Sequence, residues 1–78
     1  MKTMTCKELG GACDEKFTAN SFDEIGRLSK EHTKHMFDKR DLAHLEAIKQ
    51  MNELMKDKTA FIQWLHSKKE TFDKLPNN

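Results

Sequence analysis

The sequence predicts an α+β fold in which an N-terminal β-hairpin is followed by three α-helices, in the order ββααα. The first observation is a glycine pair at positions 10 and 11, which separates two short runs of alternating residues. The second is a set of three later segments whose apolar residues recur every three or four positions. Because the chain has 78 residues, we expect one small domain over 1–78. Its two parts are a hairpin with the first helix over 1–37 and a helical pair over 38–78.

The hairpin is predicted within residues 4–19. Gly10 and Gly11 suit a primed two-residue turn, because both turn positions need a positive φ that glycine adopts without strain. In the resulting register Cys6 lies opposite Glu15. Side chains alternate along a strand, so one face of the hairpin must be covered by the helices. That face is formed by Met4, Cys6, Cys13, Phe17 and Ala19.

The first helix begins at a capping box, in which Ser21 caps the helix and Glu24 reaches back toward it. Gly26 interrupts the apolar face and is expected to mark a close approach to the hairpin. Charged residues predict the end of the helix at 37–39. The face that packs on the hairpin is formed by Phe22, Ile25, Leu28 or Ser29, His32 and Met36.

The second and third helices are predicted over 42–56 and 60–74. Asp41 caps the second helix, and Asp57 or Thr59 caps the third. Pro76 ends the third helix, because the residue before proline avoids the helical region. Trp64 is expected to anchor the core. The pattern leaves open whether this pair folds back on the hairpin or extends to another subunit.

Charge and hydropathy argue against two classes of partner. The 14 basic and 13 acidic side chains leave a net charge of +1 without a basic stripe, so we expect no nucleic-acid binding. No stretch approaches the roughly 20 apolar residues of a membrane span, so we expect no membrane partner. A polar start without an apolar signal region predicts a cytoplasmic protein, in which cysteines stay reduced.

Two cysteines and one histidine form the candidate site. Cys6 and Cys13 share a hairpin face and His32 lies on the helix above it, in the spacing C-x6-C-x18-H. Zinc binds four N or S ligands in a tetrahedron, and His35 or His44 is the candidate for the fourth. The favoured interpretation is nevertheless a site without a cofactor, in which the thiols are reduced and buried and His32 is a core residue. Zinc binding and a thiol-redox role are the alternatives.

The sequence contains no nucleophile elbow, phosphate loop or metalloprotease motif, so we predict that the protein is not an enzyme. The leading hypothesis is a small, non-catalytic binding or interaction module whose ligand the sequence does not name. The alternative is a zinc-binding or thiol-redox protein that uses Cys6, Cys13 and His32. A homodimer is one option for the partner. An apolar groove or dimer face is expected from Leu42, Leu45, Met51, Met55, Phe61 and Trp64.

The segment 1–35 also resembles a family of small bacterial proteins catalogued as domain of unknown function 1059. The resemblance rests on the run MKTMTCKELGG at 1–11, on Cys13-Asp14, on the cap at 21–24 and on EHTK at 31–34. It implies a hairpin–helix fold, a bacterial and cytoplasmic setting, and a role for Cys6, Cys13 and His32. In that family a second histidine follows five residues after the first, and Phe37 occupies that position here. The resemblance implies no activity.

Overall fold

A computed structural model describes residues 1–77 and confirms the predicted ββααα order. Two antiparallel strands form the hairpin, and a short 3₁₀ helix lies between them. Three α-helices follow the hairpin. The elements are β1 (Lys2–Thr5), the 3₁₀ helix (Lys7–Leu9), β2 (Lys16–Ala19), α1 (Phe22–Asp38), α2 (Leu42–Met55) and α3 (Lys58–Lys74).

The register of the hairpin is the predicted one, but its turn is not. Met4 pairs with Phe17, and Cys6 N donates a hydrogen bond to the Glu15 carbonyl at 2.8 Å. The expected two-residue turn at the glycine pair is wrong, because the chain leaves the ladder after Cys6 and enters the 3₁₀ helix. Within residues 1–77, Gly10 is the only glycine with a positive φ, at 89°. The predicted inward face holds for Met4, Cys6, Phe17 and Ala19, which are buried.

All three α-helices begin at predicted polar caps. In each case the cap side chain accepts a hydrogen bond from the backbone N–H three residues later, which satisfies one of the free donors of the first turn. The first helix ends at Asp38, inside the predicted range, and Arg40 adopts a φ of 60° in the tight link to α2. The three pairs are Ser21 with Glu24 at 3.2 Å, Asp41 with His44 at 3.0 Å, and Asp57 with Ala60 at 3.1 Å.

The second and third helices fold back onto the hairpin, which settles the question that the sequence pattern left open. Near the end of α3, Phe72 is buried and its ring centroid lies 5.9 Å from that of Phe22 on α1. Lys2 Nζ donates a hydrogen bond to the Asp73 carbonyl at 2.9 Å, so the end of α3 is joined to the first strand. The core is formed by Met4, Cys6, Phe17, Ala19, Ile25 and Phe72.

Three expectations about the helices are wrong in detail. A Cβ built at Gly26 would meet no atom within 4 Å, so this glycine marks no close approach to the hairpin. Trp64 is only half-buried, and Leu42 is 80% exposed although it lies in the apolar pattern of the second helix. Trp64 borders an open groove instead of a closed core, whereas Leu42, the first residue of α2, lies outside that groove.

Candidate metal centre

Two cysteines and two histidines bring their ligand atoms together between the hairpin, α1 and α2. Cys6, Cys13, His32 and His44 each offer one atom, and these four atoms lie within 4.8 Å of one another. The structure thus unites the three residues singled out in the sequence. It adds His44, which was one of two options for the fourth ligand. His35 is exposed on α1 and lies outside the cluster.

The spacing of the ligand atoms suits a tetrahedral metal. Cys13 Sγ lies 3.2 Å from His32 Nε2, and Cys6 Sγ lies 3.6 Å from His44 Nε2. Zinc–sulfur and zinc–nitrogen bond lengths imply edges of roughly 3.3–3.8 Å for a Cys₂His₂ tetrahedron. Two edges therefore already have about the right length. The longest separation, at most 4.8 Å, would need to shorten by about 1 Å to complete the tetrahedron.

The loop between the strands holds Cys6 in place. The Cys6 carbonyl accepts hydrogen bonds from Leu9 N at 3.0 Å and from Gly11 N at 2.8 Å, so the chain curls back over this residue. A Cβ built at Gly11 would lie 2.1 Å from Cys6 Sγ and 3.0 Å from the Cys6 carbonyl oxygen. Gly11 is therefore required for the space that it leaves beside the sulfur. Of the two glycines in this loop, Gly10 is the one with a positive φ.

Cys13 is placed by the same loop, and His32 by α1. The Cys13 carbonyl accepts a hydrogen bond from Lys7 N at 3.0 Å, which turns the second cysteine toward the first. Burial raises the pKa of the Cys13 thiol. The His32 ring packs edge-on against Phe17 and His44, with centroid distances of 5.5 and 5.3 Å. These contacts hold the imidazole over the hairpin face, where its Nε2 meets the Cys13 sulfur.

His44 is oriented by the residue that caps its helix. His44 is buried, with 4% of its surface exposed, and its Nδ1 lies 2.6 Å from Asp41 Oδ2. The same carboxylate oxygen accepts the His44 backbone N–H. The imidazole bond, followed by the backbone bond, lowers the pKa of the Asp41 carboxyl. If Nδ1 carries the proton, Nε2 presents its lone pair to the cluster, as in the carboxylate–histidine–zinc arrangement of metalloproteins.

The sequence contains a signal for His44 that is independent of the Cys/His spacing. Asp41 is an N-cap, and the third residue of a helix lies directly above the cap side chain. A histidine at that position, as in Asp41-Leu42-Ala43-His44, can be held by the same carboxylate that caps the helix. The Asp41 cap thus supplies the carboxylate partner of His44, a pairing that was not predicted from the sequence.

A chain of contacts joins the Cys6 thiol to the His44 imidazole, and the imidazole to the Asp41 carboxylate. Enzymes with a cysteine nucleophile use the same order of thiol, base and orienting acid. Burial argues against that use. Cys6 is 1% exposed, and Gly11 covers its sulfur so closely that a Cβ would collide with it. The Cys6 thiol is therefore shielded from solvent in this structure. Four converging soft and borderline donors are instead the set that zinc prefers.

None of the helices described within residues 1–77 combines the length and the hydropathy needed to cross a bilayer. Comparison of the chain with protein-family models, with curated proteins and with solved structures finds no match. The resemblance of segment 1–35 to domain of unknown function 1059 therefore stays a prediction from its residues. The candidate metal centre rests on the geometry of its four residues.

Proposed function

We propose that this protein is a zinc-binding domain in which Cys6, Cys13, His32 and His44 hold one Zn²⁺. The observation that carries the proposal is the convergence of these four ligand atoms within 4.8 Å. Two thiolates and two imidazoles match the ligand preferences of zinc better than those of calcium or magnesium, which take oxygen ligands. The bond from Asp41 to the His44 imidazole supplies the outer contact that such sites use.

The role that we propose for the zinc is structural. Four protein ligands fill a tetrahedron and leave no position open for water or substrate, in contrast to catalytic zinc sites. The ligands come from the loop of the hairpin, from α1 and from α2, so one ion would connect three elements. A chain of this size buries a small core and gains much from such a connection. The proposal includes the absence of catalysis.

The leading hypothesis from the sequence, a non-catalytic binding module, stays a proposal alongside the zinc site. An apolar groove bordered by Met51, Met55, Phe61 and Trp64 supports it. Both cysteines are free thiols, and thiolate ligands persist best in a reducing compartment, which supports the proposed cytoplasmic setting. Membership of the family named above is proposed on segment 1–35.

The zinc proposal is tested by measuring metal and free thiol on the full chain purified without chelator. We expect one zinc per chain in native mass spectrometry, with both thiols protected from alkylation until the metal is removed. His44→Ala is expected to release the zinc. His35→Ala is the matched control, because it removes an exposed imidazole from α1 outside the cluster, and it should leave the zinc in place.

Two results would contradict the proposal. One is a folded, zinc-free protein whose affinity for added zinc is no higher than that of the His44→Ala variant. The other is a zinc that His35→Ala removes and His44→Ala retains, since this would place the fourth ligand elsewhere. Cys13→Ser provides a second variant in case His44→Ala does not fold, and it should also release the metal.

A further inference from the structure

An apolar groove of about 700 Å³ lies between the three helices and the 3₁₀ helix, and His44, one of the four proposed metal ligands, forms part of its lining. The groove falls within the size range of sites for organic ligands, roughly 300–1,000 Å³. Two methionines in its lining have flexible, polarizable side chains that adapt to an unbranched chain. The apolar part of the lining includes Ile48, Met51, Met55, Phe61 and Trp64.

The charged residues of the groove are all cationic. Lys30 and Lys34 line it from α1, and no aspartate or glutamate does. The two lysines are four residues apart on the same helix, a spacing at which like charges repel and destabilise the helix. Within residues 1–77 neither ammonium has an ion-pair or hydrogen-bond partner. An anion between them would relieve this repulsion.

We propose that the groove binds a single-chain amphiphile with one carboxylate, such as a long-chain carboxylic acid. The carboxylate lies between Lys30 and Lys34, and the alkyl chain runs along the apolar lining toward Phe61 and Trp64. These two rings stack nearly parallel, with centroids 6.1 Å apart and planes 13° apart, and form a flat wall for the chain. The groove thus has positive charge at one side and apolar side chains along the rest of its length. A ligand that matches both features has an anionic head and an apolar chain.

A second copy of the chain is a poorer occupant of the groove. In a two-fold dimer the same surface serves both subunits. A contact through this groove would therefore bring the Lys30 and Lys34 side chains of both copies together. The lining offers no carboxylate to pair with them, and unpaired charges at an interface cost binding energy. The charge of the groove thus favours an anionic ligand over self-association.

Trp64 provides a direct readout, because it is the only tryptophan of the chain and it lines the groove. The experiment titrates decanoate, dodecanoate and tetradecanoate, each below its micelle concentration, into the full zinc-loaded chain and follows tryptophan fluorescence. Buried methylenes contribute enough that each added methylene should tighten binding about fourfold. A chain brominated near its middle should quench Trp64, whereas free bromide should not.

The lysines are tested by comparing a charged with a neutral ligand. Lys30→Gln and Lys34→Gln should each weaken dodecanoate binding by up to about fivefold at low salt, the upper range for an exposed ion pair. Neither change should affect the binding of dodecanol. Lys49→Gln is the matched control, since it removes one exposed charge from α2 outside the groove, and it should leave both ligands unaffected.

Four results would overturn the proposal. The first is an affinity that does not depend on chain length. The second is equal binding of dodecanoate and dodecanol by the parent protein. The third is a stable dimer in native mass spectrometry that excludes dodecanoate, which would assign the groove to a second copy. Co-sedimentation with anionic phospholipid vesicles, without binding of free dodecanoate, would likewise assign it to a membrane surface. Zinc content is measured on every sample, so a failure here is distinguishable from a failure of the metal site.

Discussion

Asp41 has two roles that depend on one oxygen atom. Its Oδ2 accepts the backbone N–H of His44 at 3.0 Å and also contacts the imidazole Nδ1 at 2.6 Å. The first bond caps α2, and the second orients the imidazole of His44, one of the four proposed zinc ligands. The two roles can be separated by substitution, because serine caps a helix about as well as aspartate but has a shorter side chain without charge.

We predict that Asp41→Ser lowers the affinity for zinc by about 10–100-fold, the range for loss of an outer contact to a metal-bound histidine. Helix content should remain near that of the parent protein. Asp57→Ser is the matched control, since Asp57 caps α3 in the same way, with Ala60 N at 3.1 Å, but contacts no ligand. Competition with a chromophoric chelator measures the affinity, and circular dichroism measures the helix content. Equal losses of affinity in both variants would contradict the orienting role of Asp41.

The sequence predicted three of the four residues of the Cys/His cluster and left the fourth open for a physical reason. Cys6 and Cys13 were found from alternation along the hairpin, and His32 from the helical spacing of an amphipathic face. The choice between His35 and His44 depends on how the chain turns between α1 and α2. That turn uses a φ of 60° at Arg40, a conformation that a non-glycine residue rarely adopts and that its sequence does not announce.

At the level of elements, the loop between the strands shows why the register was predictable and the turn was not. Alternation specifies which residues face the core, and a slip of one residue would have exposed Met4 and Phe17. The glycine pair was assigned to a two-residue turn, which is its commonest use in a hairpin. Here Gly10 ends the 3₁₀ helix and Gly11 makes room for the Cys6 sulfur. The local sequence pattern does not distinguish a two-residue turn from this loop. The space that Gly11 leaves is needed only because the Cys6 sulfur lies beside it in the folded chain.

We predict opposite effects of alanine at two glycines. Gly11→Ala should reduce the free energy of unfolding of the zinc-loaded protein by about 1–3 kcal/mol, the range for overpacking. It should also weaken zinc binding, because the new Cβ would displace the Cys6 sulfur. Gly26→Ala should increase the free energy of unfolding by about 0.4–1 kcal/mol, since alanine favours the helix and its Cβ meets no other atom.

Urea unfolding of both variants, each with its zinc content measured, checks this pair of predictions. Gly26→Ala should keep the parent affinity for zinc, and it therefore controls for the general effect of adding a methyl group. A Gly11→Ala variant as stable as the parent and with unchanged zinc affinity would show that the loop can move away from Cys6. The space beside the sulfur would then not be a requirement of the site.

At the level of the whole molecule, the protein is thin and its core is small. Its extents are 33 × 29 × 15 Å, so its shortest dimension is about half of each of the other two. Among residues 1–77 only six apolar side chains are buried. The third helix is joined to the hairpin through Phe72, whereas α2 contributes His44 as its only buried residue. The contact of His44 with the other three residues of the cluster is therefore the most buried attachment of α2 to the rest of the fold.

We predict that removal of zinc lowers the melting temperature and loosens α2 first. Ligand linkage makes zinc contribute about 2.7 kcal/mol to the free energy of unfolding when free zinc is a hundredfold above its dissociation constant, and more at higher excess. Hydrogen exchange followed by mass spectrometry should show faster exchange across 42–55 after chelation, with a smaller change in the two strands. His35→Ala should melt like the parent with zinc and without it. Uniform loss of protection along the chain would indicate that the metal holds the entire fold, and an unchanged melting temperature would indicate that the core is sufficient without it.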